Sequence, residues 1–329
     1  MNKKNLANYK SKKAAHICVI IGTVLISSFK TEGSEQKEPL QITNSIGMIF
    51  RKVNGVDPMV SIFETRVCDF ERFANETGYV AGPMKSICVN EEKGKGWYAS
   101  WDSNGEIWNK TKFPQNGKHP VAGVNKDDAL AFAKWLTEKE IKEGLIKDGE
   151  CYRLPRNCEF DALVGCKPLL KGESAMERFK GNQSKYKDNH WRDAMKAGDF
   201  KYHWGKYWPA TSYDGNFHDQ ECFKAKLNVL PNDAYTGVYK NFRSDGYAFT
   251  APVGSYRGDQ NGLYDIEGNL SEISGEYGET DDVKTKYFVR GSSWISNWDW
   301  EFFPTYADMR PNDERVSNIG FRLVLESKK

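Results

Sequence analysis

Apolar residues recur at helical spacing in the stretch that follows Asn125. Ala129, Phe132, Ala133 and Leu136 occupy positions i, i+3, i+4 and i+7, which places them on one side of a helix. Asn125 is a good N-cap, because its short side chain can accept a hydrogen bond from the first free backbone amides. The pattern therefore predicts a helix that begins after Asn125 and packs one face into a core.

Two further helices are predicted upstream and downstream of this one. An amphipathic helix is expected over residues 65–78, with Thr65 capping its start and Gly78 ending it. Its apolar side would consist of Val67, Phe70, Phe73 and Ala74. A third helix is expected over 156–164, because the proline of Leu154-Pro155 fixes a φ that suits a first helical turn.

The remainder of the chain, from about Lys167, is rich in Gly, Asn, Asp and aromatic residues. It shows only short β-like runs, at Tyr287–Arg290 and Phe321–Leu325. His190 and His203 fall in an aromatic loop of this part, where surface histidines are expected. No internal repeat and no linker interrupts 44–329, so this range is predicted to be one domain.

The first thirty residues have a different character. Five lysines precede an apolar run over 14–29, and no acidic residue occurs before Glu32. This layout is typical of a secretory signal, so residues 1–30 are predicted to be a signal peptide. An uncleaved N-terminal anchor is the alternative, and it would be the chain's only membrane contact. The polar residues 31–43 are interpreted as a linker, and the rest of the chain is expected to be exported.

Composition and charge exclude several classes of protein. A mean hydropathy of −0.69 excludes a protein with many membrane spans. Removing the six lysines of residues 1–30 from the 47 basic residues leaves 41, against 45 acidic residues. The mature chain would be mildly acidic and has no basic stripe, so a nucleic-acid partner is not expected. An even count of cysteines would remain, which permits disulfides without fixing their pairing: Cys68, Cys88, Cys151, Cys158, Cys166 and Cys222.

Several motifs, in order along the chain, carry a family resemblance. They are Asn44-Ser-Ile-Gly-Met, His119-Pro-Val-Ala-Gly-Val, Tyr152-Arg-Leu-Pro, Gly262-Leu-Tyr-Asp-Ile-Glu-Gly-Asn269, Arg290-Gly-Ser-Ser-Trp294 and Asn318-Ile-Gly-Phe-Arg322. Together they resemble the formylglycine-generating enzyme (sulfatase-modifying factor) family. The resemblance implies an α+β fold of the irregular C-type-lectin-like kind, with few helices, short twisted strands and long loops. Gly262, Gly268 and Gly291 are expected at positive φ or at tight backbone approaches.

The resemblance also implies structural calcium. Gly268-Asn269-Leu270-Ser271-Glu272 is similar to the family's calcium loop, and oxygen ligands of this kind suit a hard cation. The candidate ligands there are Glu267, Asn269, Leu270 and Glu272. A second family site would use Asn228, Val229, Asp245 and Tyr247. The alternative for both is turn and capping chemistry, which also favours Asn, Asp and Gly in loops.

The family's oxidases bind copper through two thiolates between the Arg-Gly-x-Ser and Asn-x-Gly-Phe-Arg motifs. Thiolate is the soft ligand that selects Cu(I). In this chain the corresponding stretch, 295–317, contains no cysteine, and the two ligand positions fall near Ser296 and Glu301. No copper is therefore expected, and the chain is interpreted as a pseudoenzyme with respect to formylglycine generation.

The same stretch is rich in aromatic residues. Rigid aromatics with interleaved charges are typical of ligand surfaces, although about half of these rings are expected to fill the core. The candidate ligand-binding residues are Trp298, Trp300, Glu301, Phe303, Tyr306 and Arg310. The predicted function is an exported, non-oxidase module that binds a glycan, a peptide or a protein. The alternative is an enzyme with altered, copper-independent chemistry that modifies an exported protein such as a sulfatase.

Overall fold

The structure is a computed structural model, and it describes ten stretches of the chain. They are residues 40–92, 96–103, 105–167, 174–185, 201–205, 207, 210–225, 244–275, 286–296 and 299–327. Residues from Pro39 to Lys329 cluster as one unit. The predicted leader 1–30 and most of the predicted linker 31–43 lie outside the described residues.

The helices in the described part of the chain are short, apart from one. They are α1 (Val67–Thr77), α2 (Lys126–Lys142), α3 (Asn157–Leu163), α4 (Ala175–Lys185) and α5 (Gln220–Lys224), with a 3₁₀ turn at Asp299–Phe302. None of these helices has the length and apolar character needed to cross a membrane.

The cap of α2 confirms the prediction from the sequence. The backbone N–H of Asp128 donates to Asn125 Oδ1 at 3.0 Å, and the backbone N–H of Asn125 donates to Asp128 Oδ2 at 2.9 Å. This reciprocal capping box satisfies two amides that the helix cannot pair internally. Ala129 and Phe132 are fully buried on the predicted face.

Helix α1 ends as predicted but begins one residue later. Gly78 adopts φ 72°, and its backbone N–H donates to the carbonyl of Ala74 at 2.8 Å. The predicted cap Thr65 is wrong, because its backbone N–H donates at 2.8 Å to Phe321 O and keeps this residue extended. Arg66 is the N-cap instead, and its backbone N–H donates to Asp69 Oδ2 at 3.0 Å.

Helices α4 and α5 were not expected from the sequence. Gly181 and Asn182 within α4 are poor helix formers, so local propensity does not predict it. Tertiary packing supplies the stabilisation: Phe179 is 7% exposed, and its ring meets Tyr306 edge-on at 5.1 Å. The third predicted helix is confirmed as α3, with Arg156 as its N-cap.

Eleven strands occur in the described residues, each of two to seven residues. They are β1 (Gln41–Thr43), β2 (Ile49–Lys52), β3 (Met59–Ser61), β4 (Ser86–Glu92), β5 (Gly96–Asp102), β6 (Cys151–Arg153), β7 (Ser271–Ile273), β8 (Lys286–Arg290), β9 (Ala307–Pro311), β10 (Ile319–Gly320) and β11 (Val324–Glu326). The predicted run Tyr287–Arg290 is confirmed within β8. Residues 321–323 of the other predicted run link β10 to β11.

The strands form three sheets. An antiparallel sheet has the order β1-β2-β3-β11-β6, so the strand that comes last in the chain lies inside the first sheet. A second sheet has the order β10-β7-β8-β9, with β10 and β7 parallel. Strands β4 and β5 pair as a separate hairpin. The link 321–323 therefore joins the two larger sheets and carries Phe321 and Arg322 between them.

The largest core cluster lies where α1 and α2 meet this link. The rings of Phe70 and Phe132 stack at 5.9 Å, and Phe132 meets Phe321 edge-on at 5.6 Å. All three rings are buried. Aromatic pairs of this kind contribute about 0.5–1.5 kcal/mol each beyond the area that they bury. The core thus fixes the position of the residues that precede and follow Arg322.

Candidate functional site

The loop 267–272 adopts a backbone conformation that favours glycine. Gly268 has φ 90° and Asn269 has φ 60°. A Cβ at Gly268 would lie 2.9 Å from the carbonyl oxygen of Asn216, so only glycine fits without a shift. Positive φ is also found at Gly262 and Gly291, as the sequence predicts.

Asn269 is completely buried, and its amide is used within the protein. Its Oδ1 accepts from the backbone N–H of Ala251 at 2.9 Å and from Asn216 Nδ2 at 3.2 Å. Its Nδ2 donates to Glu64 Oε2 at 2.7 Å, and Glu64 Oε1 accepts from the backbone N–H of Leu270 at 2.9 Å. Asn269 thus ties three chain segments together.

The carboxylate of Glu272 is engaged by a buried arginine. Arg322 Nε lies 2.8 and 2.7 Å from its two oxygens, and Arg322 Nη2 lies 2.6 Å from Oε1. Both side chains are at most 1% exposed. Glu267, also buried, faces His203 Nδ1 at 3.3 Å. The side-chain oxygens predicted at 267–272 therefore serve protein contacts, and this donor set does not fit a calcium ion.

Charge in this region is unbalanced. Glu64, Asp265 and Glu272 lie near Arg322, which is their shared cationic neighbour. Burial, followed by the charges of Asp265 and Glu272, raises the pKa of Glu64 well above its usual value. Burial also raises the pKa of Asp265 and of Glu272. Burial thus acts in one direction on all three acids.

The second predicted calcium site contains a carboxyl pair that sequence motifs missed. Asp219 Oδ2 accepts from the backbone N–H of Asp245 at 2.7 Å, which brings the two acids together. Asp245 Oδ1 accepts from the backbone N–H of Tyr247 at 2.9 Å. Burial, and then the charge of Asp219, raises the pKa of Asp245 to about 8. Asn228 and Val229 lie outside the described residues.

This arrangement fits a cation better than loop 267–272 does. Asp219 is buried and Asp245 is half-buried, so the two carboxylates repel each other when both are ionised, and a hard cation between them would remove that cost. Nothing in the spacing marks Asp219, which lies 26 residues before Asp245. In the described residues, no group of three or more His, Cys, Asp and Glu side chains is placed to hold a metal ion.

The structure describes Ser296 and Glu301, the two positions near which the family resemblance puts the copper thiolates. Ser296 is 1% exposed, and its Oγ accepts from the backbone N–H of Ser293 at 2.9 Å. Glu301 lies half-buried in the 3₁₀ turn Asp299–Phe302. The thiol of Cys222 lies beside the backbone of Trp294, because its Sγ donates to Ala248 O at 3.3 Å and lies 3.7 Å from Trp294 O. Burial raises the pKa of this thiol far above its ordinary value, so it stays protonated.

The aromatic stretch divides between core and surface. Trp294, Phe302 and Phe303 are at most 4% exposed and pack in the core. The expectation that Phe303 contacts a ligand is corrected by this burial, because its ring belongs to a cluster with Phe217 and Phe288.

The remaining candidates of this stretch are accessible to different degrees. Trp300 and Tyr306 are half-buried against the same cluster as Phe303. Arg310, on β9, pairs with Asp308 at 2.6 Å and with Glu314 at 3.8 Å. Trp298 lies outside the described residues.

His203 is not the surface residue that the sequence suggests. Its imidazole is 9% exposed, and its Nε2 lies 2.9 Å from the carbonyl oxygen of Asp214. Burial lowers the pKa of His203, but the hydrogen bond and charge of Glu267 outweigh it, so the pKa is raised overall. His190 lies outside the described residues.

Cys68, Cys151, Cys166 and Cys222 are free thiols.

Solved structures of similar shape share little sequence with this chain. PvdO from Pseudomonas aeruginosa is 16% identical, with a TM-score of 0.46, and the match covers 86% of this chain and 83% of that one. CarF is 17% identical, with a TM-score of 0.48 and coverage of 88% and 97%. Treponema denticola variable protein 1 is 14% identical, with a TM-score of 0.41 and coverage of 88% and 100%.

No curated protein matches the chain. The family model described as "Sulfatase-modifying factor enzyme 1-like domain" matches residues 52–327. That range contains helices α1 to α5 and both larger sheets, except for β1 and all but the last residue of β2. The α+β fold with short strands agrees with the fold that the sequence motifs imply. The chain therefore belongs to the sulfatase-modifying factor enzyme 1-like family.

Proposed function

We propose that this member of the family is an exported binding module that does not use copper-thiolate chemistry. One observation carries the proposal: residues 295–317 contain no cysteine. A hydroxyl at Ser296 and a carboxylate at Glu301 are hard ligands, and they do not replace the soft thiolates that hold Cu(I). The layout of residues 1–30 supports export, because it matches a secretory signal.

The surface proposed for binding is formed by Trp298, Trp300, Glu301, Tyr306 and Arg310. Trp300, Glu301, Tyr306 and Arg310 are all half-buried, and Tyr306 lies close enough to Glu301 and Arg310 to interact with their charges. Rings with a polar edge give large contact area at small entropic cost, which suits a glycan or a peptide ligand.

Metal analysis and turnover test the absence of oxidase chemistry. We expect freshly purified protein to contain no stoichiometric copper or iron. It should leave a cysteine-containing substrate peptide unoxidised after incubation with Cu(I) and a thiol reductant. The matched control is a variant that combines Ser296→Cys with Glu301→Cys, since it places a thiol at both of the expected ligand positions. Stoichiometric copper in the wild-type protein, or aldehyde formation on the peptide, would favour the enzyme alternative instead.

Ligand arrays test the binding surface. We expect the wild-type protein to bind members of a glycan or peptide array, and the Trp298→Ala/Trp300→Ala double variant to bind them at least 10-fold more weakly. Leu130→Ala, at an exposed position on α2, is the control, because it removes an exposed apolar side chain from a different element. Arrays that show no binding, or equal binding by the double variant, would reject this surface.

A structural calcium ion is proposed at the Asp219 and Asp245 pair. The support is the hydrogen bond from the backbone N–H of Asp245 to Asp219 Oδ2 and the raised pKa of Asp245, because a cation would relieve the repulsion between the two carboxylates. We expect millimolar calcium to raise the melting temperature of the wild-type protein relative to EDTA. The shift should vanish in Asp245→Asn and persist in Glu267→Gln. An equal shift in wild type and Asp245→Asn would locate the ion elsewhere.

A further inference from the structure

A polar pocket of about 270 Å³ lies apart from the residues of the proposed binding surface and of the calcium site. It is formed by two stretches of the chain, one around 203–214 and the other at 257–260. Its lining residues are His203, Trp204, Tyr207, Asp214, Arg257, Gly258, Asp259 and Gln260. The volume is near the lower end of the range for ligand pockets, about 300–1,000 Å³, so it suits a ligand of about one ring.

The guanidinium of Arg257 is held at this pocket by one of its nitrogens. Its Nη2 donates to Asp214 Oδ1 at 2.5 Å and to the hydroxyl oxygen of Tyr207 at 3.0 Å. The side chain of Asp214 is fully buried, whereas that of Arg257 is 59% exposed. The Nε and Nη1 of Arg257 have no hydrogen-bond partner among the described residues. The guanidinium is thus fixed in position and still offers N–H donors to a ligand.

Asp214 is the anchor of the pocket wall. Its Oδ2 accepts from the backbone N–H and from the hydroxyl of Thr211, each at 2.7 Å, and from the hydroxyl of Tyr207 at 2.7 Å. Its carbonyl oxygen accepts from His203 Nε2 at 2.9 Å. Trp204 Nε1 donates to Tyr207 O at 3.0 Å. A wall connected in this way is pre-organised, which lowers the cost of ordering it on binding.

The bonding of His203 and Asp214 argues against catalysis at this pocket. Both nitrogens of His203 are used, one by Asp214 O and the other by Glu267, so neither can exchange a proton with a ligand. Both carboxylate oxygens of Asp214 are also used. The pocket therefore offers recognition groups and no free general base among these two residues.

Charge pairing indicates a neutral ligand. Arg257 is compensated by Asp214, and His203 is compensated by Glu267. Asp259 adds one further carboxylate, whose Oδ1 accepts from the backbone N–H groups of Asn261 and Leu263 at 2.8 Å each. Asp259 has no cationic partner among the described residues, so an anionic ligand would be repelled by this carboxylate and would compete with Asp214 for the guanidinium.

The exposed groups match the chemistry of a sugar ring. Tyr207 is 42% exposed and supplies an apolar ring face, on which the C–H face of a sugar can pack. The planar guanidinium of Arg257 supplies paired donors for neighbouring hydroxyl oxygens. We propose that this pocket binds a neutral saccharide unit between Tyr207 and Arg257, independently of calcium. The proposal goes beyond the binding role of the 298–310 surface, because it uses different residues and names the ligand class.

An array of neutral, sulfated and carboxylated glycans, probed in EDTA with the full chain, tests this site. We expect neutral glycans to bind, and saturation-transfer NMR with a bound monosaccharide to show contact with the protein. Arg257→Gln should weaken binding at least 10-fold by removing the donor pair. Gln260→Trp should block the pocket without touching the Asp214 network, which guards against a variant that simply misfolds. Arg72→Gln, on the exposed face of α1, is the matched control and should bind as the wild type does.

Three results would overturn the proposal. The first is no neutral glycan bound by the wild-type protein in EDTA. The second is tighter binding of sulfated or carboxylated glycans than of neutral ones. The third is full binding by both Arg257→Gln and Gln260→Trp together with loss in Trp300→Ala, which would reject this pocket while supporting the proposed binding surface.

Discussion

At the scale of single residues, Arg322 has the most demanding environment in the described part of the chain. Besides Glu272, it donates to the carbonyl oxygens of Ser61 at 3.1 Å, Tyr264 at 2.9 Å and Asp265 at 3.1 Å. Its side chain is 0% exposed. The desolvation of such an ion is offset only where all its donors are used, and here all three guanidinium nitrogens are bonded.

Replacement of Arg322 by Met should therefore be costly. The Arg322→Met change leaves Glu272 buried without its partner, and breaking a buried pair in this way costs about 3–5 kcal/mol. Guanidinium denaturation should show this loss in the free energy of unfolding. Arg72→Met removes an exposed pair with Glu76 and should cost under about 1 kcal/mol. Equal effects of the two changes would mean that the buried pair contributes little.

A comparison of two glycines at positive φ distinguishes the cost of backbone strain from the cost of steric overlap with neighbouring atoms. Gly268 and Gly144 have φ of 90° and 70°. A Cβ at Gly268 would lie 2.8 Å from the Phe217 ring and 2.9 Å from the carbonyl oxygen of Asn216, whereas at Gly144 it would meet nothing within 4 Å. Gly144→Ala should cost about 1–2 kcal/mol, which is the strain alone. Gly268→Ala should cost clearly more in urea unfolding, and a smaller loss than for Gly144→Ala would contradict the packing described here.

At the scale of elements, the cap of α2 connects two distant parts of the chain. Asn125 accepts from the backbone N–H of Asp128, and its Nδ2 donates to Asn312 O at 2.8 Å. Asp128 in turn pairs with Arg315 at 2.6 and 2.9 Å. The start of α2 thus holds the segment that follows β9.

Asn125→Ala should lower the free energy of unfolding by about 1–2 kcal/mol, because it removes the helix cap and the hydrogen bond from Asn125 Nδ2 to Asn312 O. Thermal melts followed by circular dichroism would measure this change. Lys134→Ala, at an exposed position on the same helix, should stay within about 0.5 kcal/mol of the wild type. If Lys134→Ala lowered the free energy of unfolding as much as Asn125→Ala does, the effect of Asn125→Ala could not be assigned to the helix cap.

The elements also show what the sequence could and could not predict. Helix α2 was predictable because its cap and its apolar face are both local. Helix α4 was not, because its stabilising contact is with Tyr306, far along the chain. In the candidate sites the same limit applies: Gly268, Asn269 and Arg322 belong to sequence motifs, whereas only the fold brings Glu64 to Asn269 and Asp219 to Asp245. Loop 267–272 resembles a calcium loop in sequence, yet the carboxylate of Glu272 in this loop forms an ion pair with Arg322.

At the scale of the whole molecule, buried acids make stability depend on pH. The pKa is raised by burial at Glu64, Asp219, Asp245, Asp265 and Glu272. Asp245 has an ordinary pKa of 3.8 when unfolded and about 8 when folded. Between these values the folded protein holds a proton that the unfolded chain has lost, so stability falls as pH rises through this window.

The free energy of unfolding, measured in EDTA, should therefore decrease from pH 5 to pH 8. For each proton involved, the slope is at most about 1.4 kcal/mol per pH unit. The Asp245→Asn variant should show a shallower decrease, because its amide does not titrate. Guanidinium denaturation at pH 5, 6.5 and 8 would measure both slopes. Parallel curves for the two proteins would show that Asp245 does not contribute to this dependence.

The order of strands in the first sheet has a consequence for how the protein is made. Strand β11, at Val324–Glu326, pairs with β3 on one side and with β6 on the other. Until residue 326 has been synthesised, β3 and β6 each lack β11 as a neighbour. Each of the two strands is more than 160 residues away from β11 along the chain. Pairing over such a separation is slow, because a long loop must close, with a loss of chain entropy, before any stabilising contact forms. The first sheet therefore cannot be completed on the ribosome until residues 324–326 have been synthesised and have left the exit tunnel.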